Sequence, residues 1–308
     1  MIKLMKKVAK AKDKTTNYDI LWGLVLVLLV LGWIGNLAKP VNPAGPMKGG
    51  DGKVVIENRL GADLVVVVDE APKAVGVAVV AHGLGGSKNG QDILAMADVL
   101  REHGFTVVRY DASNAKGESG GYLSDAKVTT YANDLVDVMD WVTKQSWFKQ
   151  PLILAGHSLG ATASALYAES HPNEVSDLIL VSTVVSGAIN LQSAPQRSSD
   201  GWEKMWQEIK SSFESQSSSD QVNWLPFFID LLRFNVLSNA DKLTMPVLLV
   251  VGENDELTPL VHQQKLYDTL PGPKELQVVP GAGHIFKQDS DLANLKLVVD
   301  KWLNALPK

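Results

Sequence analysis

Four short runs limit what this chain can fold into: VAVVA before His82, LILAG before His157, DLILV before Ser182 and VLLVVG before Glu253. They are apolar at nearly every position, not at every second one. Strands of that kind are buried on both faces. The segments between them carry helical spacing. In YANDLVDVMDWVTK, for instance, Leu135, Val138, Met139 and Val142 recur three and four residues apart. Alternation of this sort predicts a mostly parallel central sheet flanked by helices, with the ligand site at the carboxyl ends of the strands. KVVIEN and DLVVVVDE read as an opening hairpin. DILAMADVLREHG reads as a helix stopped at Gly104, and FTVVRYD as the next strand. A helix follows from Leu159 to Glu169, then the strand DLILVSTVVSG. A helix near Leu260–Leu270, the strand ELQVVPG and a last helix to Leu306 complete the pattern.

The amino terminus differs. Residues 1–19 hold six lysines and two aspartates, and ILWGLVLVLLVLGWIGNL, Ile20 to Leu37, then runs for 18 residues without a charge. That length crosses a bilayer, and Trp22 and Trp33 sit near its two ends. The expectation is a transmembrane anchor with a basic cytoplasmic leader and the remaining chain on the far side. The alternative is a cleaved signal peptide and a secreted protein, for which Asn36-Leu37-Ala38 fits the cleavage pattern poorly. Residues 38–53, rich in proline and glycine, read as a linker. Net charge is −5 with the lysines concentrated in the leader, so the globular part is acidic and carries no basic footprint for nucleic acid. Absence of cysteine removes disulfides and thiolate chemistry. No histidine shows metal-ligand spacing, and no cofactor or metal is expected.

The chemistry concentrates at strand ends. In GHSLG a strand turns directly into a helix, and Gly156 and Gly160 leave room for a turn with Ser158 at its tip. A serine hydroxyl needs a base, and the base needs an acid to orient it. Asp255, in GENDELTP, and His284, in GAGH, each follow a later strand, in the chain order serine, aspartate, histidine. Asp255 also suits a helix cap, and Glu253 and Asp111 are spare acids. AHGLGGS after another central strand offers backbone N–H groups for an oxyanion, with Leu84 and Leu159 as donors. A phosphate-binding reading of this loop fails, because Lys88 stands where a glycine is needed. His82 and His157 adjoin backbone that must be held still. His103, His171 and His262 read as surface or helix-end residues.

With HGLGG, GHSLG, GENDELTP and GAGH in this order, the chain resembles the α/β-hydrolase superfamily over about residues 54–307. Through YDASNAKGESGG it is similar to acyl-ester hydrolases of the feruloyl (cinnamoyl) esterase and monoacylglycerol lipase kind. Those relatives usually read R-G-x-G where this chain has Asn114-Ala115-Lys116-Gly117. The resemblance implies a core of residues 54–187 and 241–308, with a helical cap at 188–240. There Trp202, Trp206, Ile209 and Phe213 share one helix face, and Leu225, Phe228, Ile229 and Leu232 another. The expected activity is hydrolysis of a small acyl ester, with lipid-like esters among the candidates, through a Ser158–His284–Asp255 triad. A thioesterase or acyltransferase with the same triad is an alternative, and a non-catalytic binding protein on this scaffold is another.

Overall fold

The computed structural model describes residues 53–193 and 224–306, all within the unit Ala38–Lys308. Among these described residues no helix is long and apolar enough to cross a membrane. The expected leader, the anchor at 20–37 and the linker up to residue 52 lie outside them. So does the cap segment 194–223, with Trp202, Trp206, Ile209 and Phe213.

Eight strands form one sheet: β1 (Lys53–Glu57), β2 (Asp63–Asp69), β3 (Val77–Ala81), β4 (Thr106–Tyr110), β5 (Leu152–His157), β6 (Asp177–Val181), β7 (Val247–Gly252) and β8 (Lys274–Val279). Their spatial order is β1-β2-β4-β3-β5-β6-β7-β8. β2 is antiparallel to both β1 and β4, and every other pairing is parallel. The opening hairpin appears as read, although Lys53, assigned to the linker, already pairs with Val67.

Every residue of β3, β4, β5, β6 and β7 is buried, as continuous apolar runs require. Successive side chains serve opposite faces. Val77 and Val79 of β3 and Leu152 and Leu154 of β5 join one core; Ala78, Val80, Ile153 and Ala155 join the other. The first core is covered by α2 (Val128–Val142), α3 (Leu159–Ser170) and α6 (Leu260–Thr269). The second is covered by α1 (Gln91–Glu102) and α7 (Asp289–Ala305). Leu135, Val138, Met139 and Val142 form the fully buried stripe of α2.

Two readings need correction. The strand expected over DLILVSTVVSG ends at Val181, because Ser182 takes a positive φ of 50° and its N–H donates to the Val250 carbonyl. His262 stands at a helix end as read, in the first turn of α6, and is buried there. The helices described around the expected cap are α4 (Gly187–Ser193) and α5 (Leu225–Leu231). In α5 the inward residues are Phe227, Asp230 and Leu231, while Ile229 and Leu232 of the expected apolar face are exposed. The Asp230 carboxylate sets this rotation. It accepts the Thr129 N–H at 2.9 Å and the Thr129 hydroxyl at 2.6 Å, capping the first turn of α2.

A buried carboxylate also ties the hairpin to the core. Asp134 of α2 accepts Asn58 Nδ2 at 2.8 Å on one oxygen, and the Ser113 N–H and hydroxyl, each at 2.7 Å, on the other. Asp134→Ala strands three buried donors and is expected to cost about 3 kcal/mol, read from urea unfolding. At the other end of the sheet, burial raises the carboxyls of Glu169 and Asp177 to about 7, and one oxygen of each lacks a hydrogen-bond partner. A carboxyl raised in the folded state contributes stability in full below its unfolded value near 4 and loses it as pH rises through 7. The double variant Glu169→Gln, Asp177→Asn should therefore narrow the stability difference between pH 5 and pH 8, by on the order of 2 kcal/mol per group.

Candidate active site

β5 is the inner strand between β3 and β6, and its end defines the site. At Ser158 the backbone takes φ 54° and ψ −117°, a conformation that costs a non-glycine residue roughly 1–3 kcal/mol. The flanking glycines explain how the turn closes. A Cβ on Gly160 would lie 2.1 Å from the Ala81 carbonyl oxygen at the end of β3, and one on Gly156 would lie 2.5 Å from the Gly160 carbonyl carbon. The Ser158 N–H donates to the Val181 carbonyl, and its own carbonyl starts α3 by accepting from Thr162.

His284 reaches this serine from the loop after β8. Its Nε2 lies 3.0 Å from Ser158 Oγ. Its Nδ1 lies 3.0 Å from Oδ2 and 3.1 Å from Oδ1 of Asp255. Asp255 does also cap the following turn, as its sequence context suggested. Oδ1 accepts the N–H groups of Leu257 and Thr258, and Oδ2 accepts the Thr258 hydroxyl at 2.7 Å. Burial opposes ionisation of Asp255, but its pairing with His284 and these donors outweigh it and hold the carboxyl well below the usual carboxylate range. An ionised Asp255 fixes the proton of His284 on Nδ1, which leaves Nε2 to accept the Ser158 proton. The aspartate and histidine loops are joined directly: Asn254 N–H donates to the Ala282 carbonyl, and Glu253 accepts the Gly281 N–H at 2.8 Å. Glu253 is thereby spent on the loop and does not face His284.

The loop after β3 carries Leu84. Among the described residues neither the Leu84 N–H nor the Leu159 N–H has a hydrogen-bond partner. His82 steadies the loop from beneath. Its Nε2 accepts the Ala112 N–H at 2.9 Å, so its proton lies on Nδ1, which donates to the Gly83 carbonyl at 2.7 Å. Burial lowers the His82 pKa and keeps this ring neutral. The far end of the loop is held by charge. Lys88, 1% exposed, places Nζ 2.6 Å from Asp111 Oδ2 and against Glu118, while its N–H donates to Asp111 Oδ1 at 2.6 Å. Its carbonyl accepts from Arg109, itself paired with Asp69. The spare acid Asp111 thus anchors the Leu84 loop to the Gly117–Glu118 segment, whose Glu118 N–H it also accepts.

Sequence reasoning singled out Ser158, Asp255, His284, Leu84, Leu159, His82 and His157 as neighbours, and the structure brings them together. It did not find Thr258, Lys88 as an ion-pair partner, or Asp92, whose carboxylate lies 3.0 Å from His157 Nδ1. A lysine directly after HGLGGS, where the phosphate-loop pattern would want glycine, was the one available signal for Lys88.

The arrangement can pass a serine proton to an imidazole and present two N–H groups to a nascent oxyanion. Comparisons with known proteins agree with the architecture. The chain is 27% identical over 204 residues to the lysophosphatidylserine lipase ABHD12 of Danio rerio, covering 63% of this chain and 47% of that protein. It spans about half the length of the curated relatives it matches. Among solved structures it resembles Est1E from Butyrivibrio proteoclasticus with bound ferulic acid, with a TM-score of 0.66 and 20% identity over 82% of this chain and 98% of that one. It also resembles the Paleococcus ferrophilus monoacylglycerol lipase, with a TM-score of 0.59 and 21% identity over 78% and 98%. A family model described as serine aminopeptidase, S33, matches residues 217–291. The model of the alpha/beta hydrolase fold matches residues 77–243, more than half of the chain, and the chain belongs to that family.

Proposed function

We propose that the protein is a serine hydrolase of carboxylic esters, with Ser158 as nucleophile, His284 as base and Asp255 as the group that orients it. The observation that carries this reading is the unbroken hydrogen-bonded path from Asp255 through His284 to Ser158 Oγ. His284 Nε2 takes the hydroxyl proton as Oγ bonds to the ester carbonyl carbon. The negative charge that develops on the carbonyl oxygen meets the N–H groups of Leu84 and Leu159. Collapse breaks the bond to the alcohol, which leaves with the proton from His284, and an acyl-Ser158 ester remains. Water then gives a proton to His284, attacks the acyl carbon and releases the acid, and Ser158 regains its proton. Likeness to a lysophosphatidylserine lipase and to an esterase holding ferulic acid supports acyl esters of lipid-like or aromatic acids as the substrate class.

The apolar segment 20–37 supports a second part of the proposal: it anchors the hydrolase to a membrane, with the lysine-rich leader on the cytoplasmic side. Such an anchor places the site near lipid esters without selecting among them.

In the full chain, Ser158→Ala should lower kcat on p-nitrophenyl esters on the order of 10⁴-fold or more, with the unfolding temperature retained. Retained turnover would remove Ser158 from the chemistry. The same assay across acyl lengths and with matched thioesters ranks the acyl group and leaving group. The full chain should also stay with membranes through an alkaline carbonate wash. Recovery of the intact chain in the soluble fraction would exclude the anchor.

A further inference from the structure

His157, the residue before Ser158, has both ring nitrogens facing acceptors. Nε2 lies 2.8 Å from the main-chain carbonyl oxygen of His284, and Nδ1 lies 3.0 Å from Asp92 Oδ2. A carbonyl oxygen only accepts, so Nε2 carries a proton. An ionised Asp92 beside Nδ1 favours a second proton there. Both contacts are satisfied at once by an imidazolium against an ionised Asp92.

The surroundings enclose the histidine of this pair. His157 is 6% exposed, and its ring lies 5.0 Å from that of His284 and edge-on to Phe286 at 6.3 Å. A Cβ on Gly83 would come within 3.2 Å of its Nδ1. The charged and titratable groups around it are Asp92 in the first turn of α1, Asp255 after β7 and His284 after β8. Burial opposes charge on both members of the pair. Their mutual attraction wins, raising the His157 pKa and lowering that of Asp92.

We propose that Asp92 and His157 form a second acid–imidazole pair, which acts through the His284 carbonyl to position the His284 ring between Asp255 and Ser158. Asp255 holds His284 by its side chain, and His157 holds it by its main chain. His157 is thus a positioning residue: it lies beside the elbow and restrains the loop whose placement sets the 3.0 Å Ser158–His284 distance. Because the anion sits on α1, the restraint also links the base to a helix on the opposite face of the sheet from α3. The proposal rests on the serine-hydrolase reading for its kinetic consequences, and not for the charge state of His157.

The charge state is read directly in the full chain labelled with ¹⁵N-histidine, where only six histidines contribute. One ring, lost in His157→Gln, should show protons on both nitrogens at pH 7, and Asp92→Asn should reduce it to a single proton. A neutral His157 ring in the wild type at pH 7 would overturn the proposal regardless of activity. In turnover, Asp92→Asn, which keeps the shape and hydrogen-bonding capacity of the site, should lower kcat about tenfold, and His157→Leu about a hundredfold, the cost of a misplaced catalytic group. KM should stay within about threefold in both, as displacement of the base and not loss of substrate contacts requires. The double variant should be no slower than His157→Leu alone, since the pair acts as a unit. Labelling of Ser158 by a fluorophosphonate should slow in parallel. Both single variants matching the wild type within twofold would overturn the positioning role. Absence of labelling and turnover in the wild type itself would refute the hydrolase reading, with the nitrogen spectra still deciding the charged pair.

Discussion

The site depends on one backbone approach. The first turn of α3 lies against the last residue of β3 so closely that a single carbon on Gly160 would overlap the Ala81 carbonyl. That contact makes β3 and β5 neighbours at their carboxyl ends and brings the Leu84 loop beside Ser158. It also points the open end of α3, with its unpaired Leu159 N–H, at the same place. The positive φ of Ser158 is the cost of turning from strand to helix without a loop, and packing of α3 into the sheet core sustains it.

Charge is distributed unevenly along the sheet axis. At the carboxyl ends of the strands, buried ionic groups are paired: Asp255 with His284, Asp92 with His157, and Lys88 with Asp111 and Glu118. Near the amino ends, Glu169 and Asp177 are buried with an orphaned oxygen each and drift toward neutrality. Pairing in a low-dielectric setting is worth little as net stability, because desolvation offsets most of the attraction. What it supplies is a defined position for each loop that crosses the site, which a purely apolar rim would leave free to slide.

The sheet and the Ser158, Asp255 and His284 cluster were legible because each has a local signature. Strands buried on both faces must be apolar throughout, and a turn with no loop must use glycine. Long-range partners had none. Asp92 looks like any acidic residue in the first turn of a helix, yet 65 residues of chain separate it from His157, and only the fold makes them a pair. His262 reads as polar on a helix of low amphipathicity, and tertiary packing buries it. In α5, hydrophobic spacing suggested one face, but Asp230 pinned to the start of α2 selects another, because an ion-strength hydrogen bond at a helix end outweighs the exposure of one isoleucine and one leucine.

The chain leaves and rejoins the sheet region around residues 188–233 through two stretches that hold each other. Gly187 donates to the Phe234 carbonyl, Val236 donates to the Val185 carbonyl, and Ser186 bridges Asn235 in antiparallel fashion. The ends of the insertion are thus closed at the stem by the scaffold, whatever lies between them. Loop-closure cost grows only with the logarithm of length, so each doubling of the stretch between α4 and α5 costs the fold only about 0.6 kcal/mol. The stem and α5, tied to α2 through Asp230, belong to the scaffold, and chain length between α4 and α5 is free to change in evolution or by design at little cost to the fold.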